Sequence, residues 1–250
     1  MDVNKDGNLD LQRFHDIITD KTALVSIMWA NNETGVIFPI QEIASMCARR
    51  NIYLHVDAAQ SAGKIYTPMH DGISSMSISG HKFHALKGVG ALYIKTNIDG
   101  ALLYGGEQER NVRAGTENII GIASMGIAAK SAIADLSDNT SLLRDYFENE
   151  LIKITNIHIN GKMTKRLPNT SNITFYGIDA NWILTQLDAN GIYVSKGSAC
   201  SSTSPKPSHV LEAMGLTLHN INSTIRFSMS EYTTKEEIDY TLSILKNIII

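Results

Sequence analysis

Two segments of this 250-residue chain set reactive groups where a folded sheet would present them together. His55-Val56-Asp57-Ala58-Ala59-Gln60 places a carboxylate at the end of a short apolar run. Ser77-Ile78-Ser79-Gly80-His81-Lys82 carries a second run into Ser-Gly-His and then an amine. Open α/β sheets hold ligands at the carboxyl ends of their strands, so one sheet edge would receive both segments. Taken alone, a lysine at a strand end is usually a solvated tip, because lysine is mostly exposed. Paired with an aspartate from the adjacent strand end, it suggests something narrower. Pyridoxal phosphate needs a lysine for its Schiff base and a carboxylate to hold its pyridine nitrogen protonated. It also needs hydroxyl and backbone donors for its phosphate.

The two cysteines differ in setting. Cys47 falls with Ile40, Ile43 and Ala44 on one face of a helical pattern, which reads as core packing. Cys200 sits in Gly197-Ser198-Ala199-Cys200-Ser201-Ser202-Thr203-Ser204-Pro205, with no apolar neighbours to bury it. An exposed, mobile thiol is one that can react, although exposure alone fits an incidental surface cysteine equally well. Asp2-x-Asn4-x-Asp6-Gly7 opens like a calcium loop. The twelfth position, where the ion needs a bidentate glutamate, holds Arg13, so the segment reads as a turn.

Several elements must position these groups. Ala23 to Ala30 is a nearly continuous apolar run, the mark of a strand buried on both faces. A helix follows from Pro39, whose ring suits the first helical position. Ile52 to Val56, Met76 to Ser79 and Ala91 to Ile94 read as further strands. Strand, helix, strand in that order predicts an α/β sheet that is mainly parallel. The polar stretch Asp135 to Ser141 marks a boundary, dividing the chain into residues 1–138 and a smaller α+β domain at 139–250. That second part reads as a helix from Leu142 to Ile154, strands near Ile157 and Ile173, and a helix around Trp182 to Asn190. A loop rich in Ser, Gly and Pro runs from Ser195 to Ser208. Thr234 and Glu237 form a capping box ahead of a last helix with Ile238, Leu242 and Leu245 on one face.

Composition limits the function. Hydrophobic residues make up 43% and charged residues 19%, too apolar for a disordered chain. A net charge of −3 and a pI near 6.2 argue against a nucleic-acid partner. No apolar run approaches the roughly 18 residues of a membrane helix. The polar N-terminus has no secretory pattern, and with so few cysteines the expectation is a cytoplasmic protein.

Six motifs occur in order: Trp29-Ala30-Asn31-Asn32-Glu33-Thr34-Gly35, His55 to Gln60, Ser79-Gly80-His81-Lys82, Arg113-Ala114-Gly115-Thr116-Glu117-Asn118, Gly197 to Ser201, and Ser223-Thr224-Ile225-Arg226-Phe227-Ser228. Together, nearly end to end, they resemble pyridoxal-phosphate-dependent cysteine desulfurases of the nitrogen-fixation and iron–sulfur-cluster type. The resemblance implies the fold type I architecture: an α/β large domain with a mainly parallel sheet, then a smaller α+β domain. It implies that Lys82 is the Schiff-base lysine, that Asp57 pairs with the pyridine nitrogen, and that Gln60 donates to the ring oxygen. Asn32 would contact the cofactor close to the substrate, and Ser79 and His81 would bind the phosphate. Thr116 would reach the phosphate of the other subunit, implying a homodimer. Arg226 would clamp the substrate carboxylate, a task that suits a planar fork. Cys200 would attack the substrate sulfur, converting L-cysteine to L-alanine and holding the sulfur as a persulfide for an iron–sulfur scaffold or another acceptor protein. Alternatives are a related lyase acting on selenocysteine or cysteine sulfinate, or an impaired fragment that only binds or dimerises.

The chain departs from the family pattern at Ala85-Leu86-Lys87-Gly88, where Gly-Pro-Lys-Gly is usual, and at Glu107, a usual glycine. Family members also carry roughly a further hundred residues upstream, about one domain's worth. Those residues include a histidine that stacks on the cofactor and a threonine loop that cradles its phosphate. The expectation is that this chain alone binds the cofactor weakly and turns over cysteine poorly.

Overall fold

The first half of the chain forms α1 (Leu11–Ile17), β1 (Leu24–Met28), α2 (Ile40–Arg49), β2 (Tyr53–Asp57), β3 (Ser75–Ser79), β4 (Gly90–Ile94) and α3 (Ile119–Ala134). The second half forms α4 (Asn139–Ile154), β5 (Ile157–Ile159), β6 (Thr170–Phe175), α5 (Ala180–Ala189), α6 (His209–Ala213), α7 (Leu218–Asn222), β7 (Thr224–Ser228) and α8 (Lys235–Ile249). This computed structural model describes residues 1–96, 100–134, 139–197 and 206–249. Two compact units result. The first comprises Met1–Phe14, Ala30–Phe38 and Ser137–Ile250, the second His15–Trp29 and Pro39–Leu136.

In the second unit the sheet order is β1-β2-β3-β4, with the first three strands parallel and β4 antiparallel to β3. The mainly parallel α/β expectation holds. α2 buries Ile40, Ile43, Ala44 and Cys47, the face its spacing predicts. β1 corrects the reading of a strand buried on both faces, because Leu24 is 55% exposed and Val25, Ile27 and Met28 are only half-buried. β1 is an edge strand of this sheet, so its apolar run is covered only in part. α3 escaped the sequence reading because apolar residues occupy every side of it, which erases the 3.6-residue contrast. Ile119, Ile120 and Ile127 on this helix are exposed.

In the first unit β5, β6 and β7 form an antiparallel sheet in that order, and every residue of β6 is buried. α4, α5 and α8 contribute Phe147, Leu151, Ile183, Leu187, Leu242 and Leu245 to the core against Ile173, Phe175 and Phe227. The capping box is reciprocal. The Thr234 N–H donates to Glu237 Oε2 at 2.9 Å, and the Glu237 N–H donates to Thr234 Oγ1 at 3.2 Å.

The N-terminal segment is a turn, as its sequence suggests. Val3 bridges Leu9, and Asn4 Oδ1 accepts from the N–H groups of Asp6 and Asn8, each at 3.0 Å. Asp2 pairs with Arg13 at 2.9 Å, so the carboxylates do not converge. Among the described residues no group of three or more His, Cys, Asp or Glu side chains could hold a metal ion. No helix among them is long and apolar enough to cross a membrane.

Candidate active site

Parallel pairing sets Asp57 opposite Ser77, and the Ala58 N–H donates to the Ser77 carbonyl at 2.9 Å. β3 runs on to Ser79 before the chain winds into a 3₁₀ turn, Gly80–Phe83. Asp57 and the segment Ser79 to Lys82 therefore leave the sheet at the same carboxyl edge, where α/β sheets hold ligands. The exposed Asp57 is oriented by the Ala59 N–H, which donates to Oδ1 at 2.8 Å. Ser79 Oγ and His81 Nδ1 lie 3.0 Å apart. Lys82 is half-buried, and its ammonium makes no hydrogen bond or ion pair among the described residues. Gly80 is needed for close approach. Its N–H donates to the Val89 carbonyl at 3.1 Å, and an added Cβ would come within 3.0 Å of that same oxygen. Gln60 Oε1 accepts from Lys64 Nζ at 2.9 Å, which leaves the amide nitrogen as its donor. Thr116 lies on a separate exposed stretch. No hydrogen bond among the described residues joins it to the Asp57–Lys82 edge.

The first unit brings two further site residues together. Arg226 projects from β7, and its Nη1 donates to the Asn32 carbonyl at 2.8 Å. Asn32 lies in a tight loop, in which the Asn31 N–H donates to the Val36 carbonyl at 2.8 Å. Asn31 Oδ1 accepts from the N–H groups of Glu33 and Thr34 at 2.9 and 3.0 Å. A half-buried guanidinium held in this way presents the planar fork that suits a carboxylate. Cys200 lies outside the described residues. Cys47 is fully buried, and burial pushes its thiol pKa up, as expected of a packing residue.

Glu33 was not singled out from sequence. Only 1% exposed, it accepts the Ser208 hydroxyl on Oε2 at 2.5 Å, and its carbonyl accepts Asn172 Nδ2 at 3.2 Å. The available signal was a lone carboxylate among small and amide residues, since a buried glutamate is rare unless partnered.

The chain matches the family described as Aminotransferase class-V over residues 1–241. A protein of Nostoc sp. (strain PCC 7120 / SAG 25.82 / UTEX 2576) named cysteine desulfurase is 46% identical over 255 aligned residues, covering 100% of this chain and 64% of the relative. One from Dictyoglomus turgidum, named cysteine desulfurase IscS, is 44% identical over 254 residues, covering 99% of this chain and 64% of the relative. The chain thus spans about 64% of the length of these curated relatives. Among solved structures, a NifS-like protein aligns with TM-score 0.90 at 34% identity, over 99% of this chain and 66% of that one. A NifS-like protein from Rickettsia africae aligns with TM-score 0.89 at 32% identity, over 100% of this chain and 69% of that one. With that match running through both units and all the described site segments, the chain belongs to the class-V aminotransferase family.

Proposed function

We infer that this chain carries the chemistry of a pyridoxal-phosphate-dependent cysteine desulfurase, which takes L-cysteine to L-alanine and holds the sulfur as a persulfide on Cys200. The observation that carries the reading is the shared sheet edge: an oriented aspartate at the end of one parallel strand, and a half-buried lysine, without a polar partner among the described residues, in the turn that leaves the carboxyl end of the next. The donor set fits the cofactor. Lys82 would hold it by its amine, Asp57 would face its ring nitrogen, and Ser79, His81 and Gln60 would offer donors to its oxygens. When bound, the cofactor supplies an electron sink for the bonds at the substrate's Cα.

The chain's own groups supply the rest. Arg226 binds the substrate carboxylate and Asn32 lines the same place, so the amino acid is held before it reacts. Lys82 Nζ can take the Cα proton and return it to the same carbon before alanine leaves. The Cys200 sulfur then bonds to the substrate sulfur as the Cβ–S bond breaks. The electron pair of that bond stays with Cβ, which takes up a proton to give alanine. The thiol proton is released, so atoms and charge balance. The persulfide would pass to an iron–sulfur scaffold or another acceptor protein in the cytoplasm. The exposed Thr116 and the exposed apolar residues of α3 support action as a homodimer.

The test is alanine and sulfide release from L-cysteine by the full gene product with pyridoxal phosphate and a reductant. Both products should form, and Cys200→Ser should abolish turnover while the cofactor stays bound. Absence of both products from the unmodified protein overturns the reading.

A further inference from the structure

We propose that Asn172 is a positioning residue for the substrate carboxylate, holding the Asn32–Glu33 turn on which the Arg226 guanidinium is braced. The proposal rests on the desulfurase reading above, in which Arg226 receives that carboxylate. Asn172 on β6 and Arg226 on β7 are direct cross-strand partners, so their side chains leave the sheet on one face. Ile173, Phe175, Ile225 and Phe227 take the other face and fill the core. Both polar side chains reach the same turn. Arg226 Nη1 donates to the Asn32 carbonyl at 2.8 Å, and Asn172 Nδ2 donates to the Glu33 carbonyl at 3.2 Å. Consecutive carbonyls of one turn are thus held by two neighbouring side chains of one sheet.

The network behind Asn172 fixes which end of its amide faces the turn. Asn160 Nδ2 donates to Asn172 Oδ1 at 2.7 Å and to Thr174 Oγ1 at 3.0 Å. The Thr224 hydroxyl donates to the Asn220 carbonyl at 2.7 Å, so at the 2.8 Å contact between the two threonines the Thr174 hydroxyl is the donor. Each hydroxyl proton has one place to go, and Asn160 must present its amide nitrogen. Asn172 then has its oxygen committed to Asn160 and its nitrogen left for Glu33. Asn160, Asn172, Thr174 and Thr224 are no more than 1% exposed, so water does not compete. Asn160 Oδ1 is buried without a partner among the described residues. Burying a bare acceptor is unfavourable, and an aliphatic side chain would avoid it. The amide of Asn160 therefore serves the orientation of Asn172 rather than the burial of the sheet.

The experiment compares two ligands that differ only by the carboxylate, L-alanine and ethylamine. Each is titrated into the full gene product with its cofactor and followed by visible absorbance. Asn172→Leu keeps a similar volume and removes the donor to Glu33. Asn172→Asp is the second variant should the first fail to fold, because it keeps the acceptor for Asn160 and replaces the donor alone. Ser171→Ala is the structural control. It deletes a buried 2.7 Å hydrogen bond, to Glu148, from the adjacent residue of β6. Releasing the turn lets the guanidinium drift from the carboxylate, so either Asn172 variant should bind L-alanine about tenfold more weakly. Ethylamine should stay within about twofold, as should both ligands in Ser171→Ala. In turnover, KM for L-cysteine should rise more than kcat falls, the mark of lost ground-state binding. Unchanged L-alanine affinity in a folded Asn172 variant, an equal loss for ethylamine, or an equal loss in Ser171→Ala overturns the proposal. So does an unmodified protein that binds L-alanine no better than ethylamine. If the unmodified protein makes no alanine from L-cysteine, the desulfurase reading has failed instead. The two-ligand titration then still decides the positioning role.

Discussion

Removing the Glu148 side chain should cost more stability than almost any other single surface or site change. Arg166 Nη1 and Nη2 donate to Glu148 Oε1 and Oε2 at 2.9 and 3.0 Å, and the Ser171 hydroxyl adds a third bond to Oε1 at 2.7 Å. The two side chains are only 5% and 2% exposed, so water cannot replace either partner. Glu148→Ala leaves a guanidinium buried without its anion, a situation that costs about 3–5 kcal/mol. That corresponds to a fall in melting temperature of roughly 6–20 °C for a chain of this size. The loss should reach the site, because Val36 bridges Arg166 and the Ile37 N–H bonds to the Lys165 carbonyl below the Asn32 loop. Urea unfolding gives the measurement, with the midpoint falling and the slope unchanged. A double variant, Glu148→Leu with Arg166→Met, removes both charges and should recover most of the loss. A cost below about 1 kcal/mol for Glu148→Ala, or a double variant as unstable as the single one, would refute the reasoning.

Asp57→Asn should retain the cofactor's visible absorbance yet slow turnover of L-cysteine by about a hundredfold or more, whereas Lys82→Ala should lose that absorbance altogether. In iodoacetamide labelling of the native protein, Cys47 should stay unmodified at neutral pH, because burial holds its thiol protonated, and should react only on unfolding. Asp239 is held below the ordinary carboxylate range by the Lys235 ammonium and then the Tyr146 hydroxyl, at 2.6 and 2.7 Å. Its contribution to stability is present above its unfolded pKa and is lost as pH falls through the lower folded value. Asp239→Asn should therefore flatten the acid limb of the stability curve, less so at high salt. Thr234→Ala should cost α8 about 1 kcal/mol in thermal or urea unfolding by removing the acceptor of the Glu237 N–H.

Sequence reading succeeded where residue type and local geometry coincide. Asp57 could be placed at a strand end because an apolar run stops directly before it, Lys82 follows just past the end of the next strand at Ser79, and a parallel sheet delivers such ends to one edge. The Thr234–Glu237 box, the buried face of α2 and the Asn4 turn are local patterns that folding leaves intact. α3 was not legible, because its apolar residues surround the axis and give no preferred face. The half-exposed β1 was misread because an apolar run does not reveal whether its strand lies inside a sheet or at its edge. Glu33 and Ser208 are 175 positions apart, and no periodicity reports a pairing of that range. The Glu148–Arg166 pair is hidden in the same way, since each residue alone reads as an ordinary surface charge.

The complete burial of β6 bears on how the molecule breathes. Paired on both flanks, its amides cannot meet solvent through fraying of a sheet edge, and exchange with deuterium requires the surrounding unit to open. β4, with four of its five residues exposed, should label far sooner. Arg226 sits on β7 directly opposite Asn172 of β6, so its backbone is paired with a strand whose amides should exchange slowly. The carboxylate of an arriving amino acid would then meet a fixed reference point, and thermal excursions of the protein would fall elsewhere.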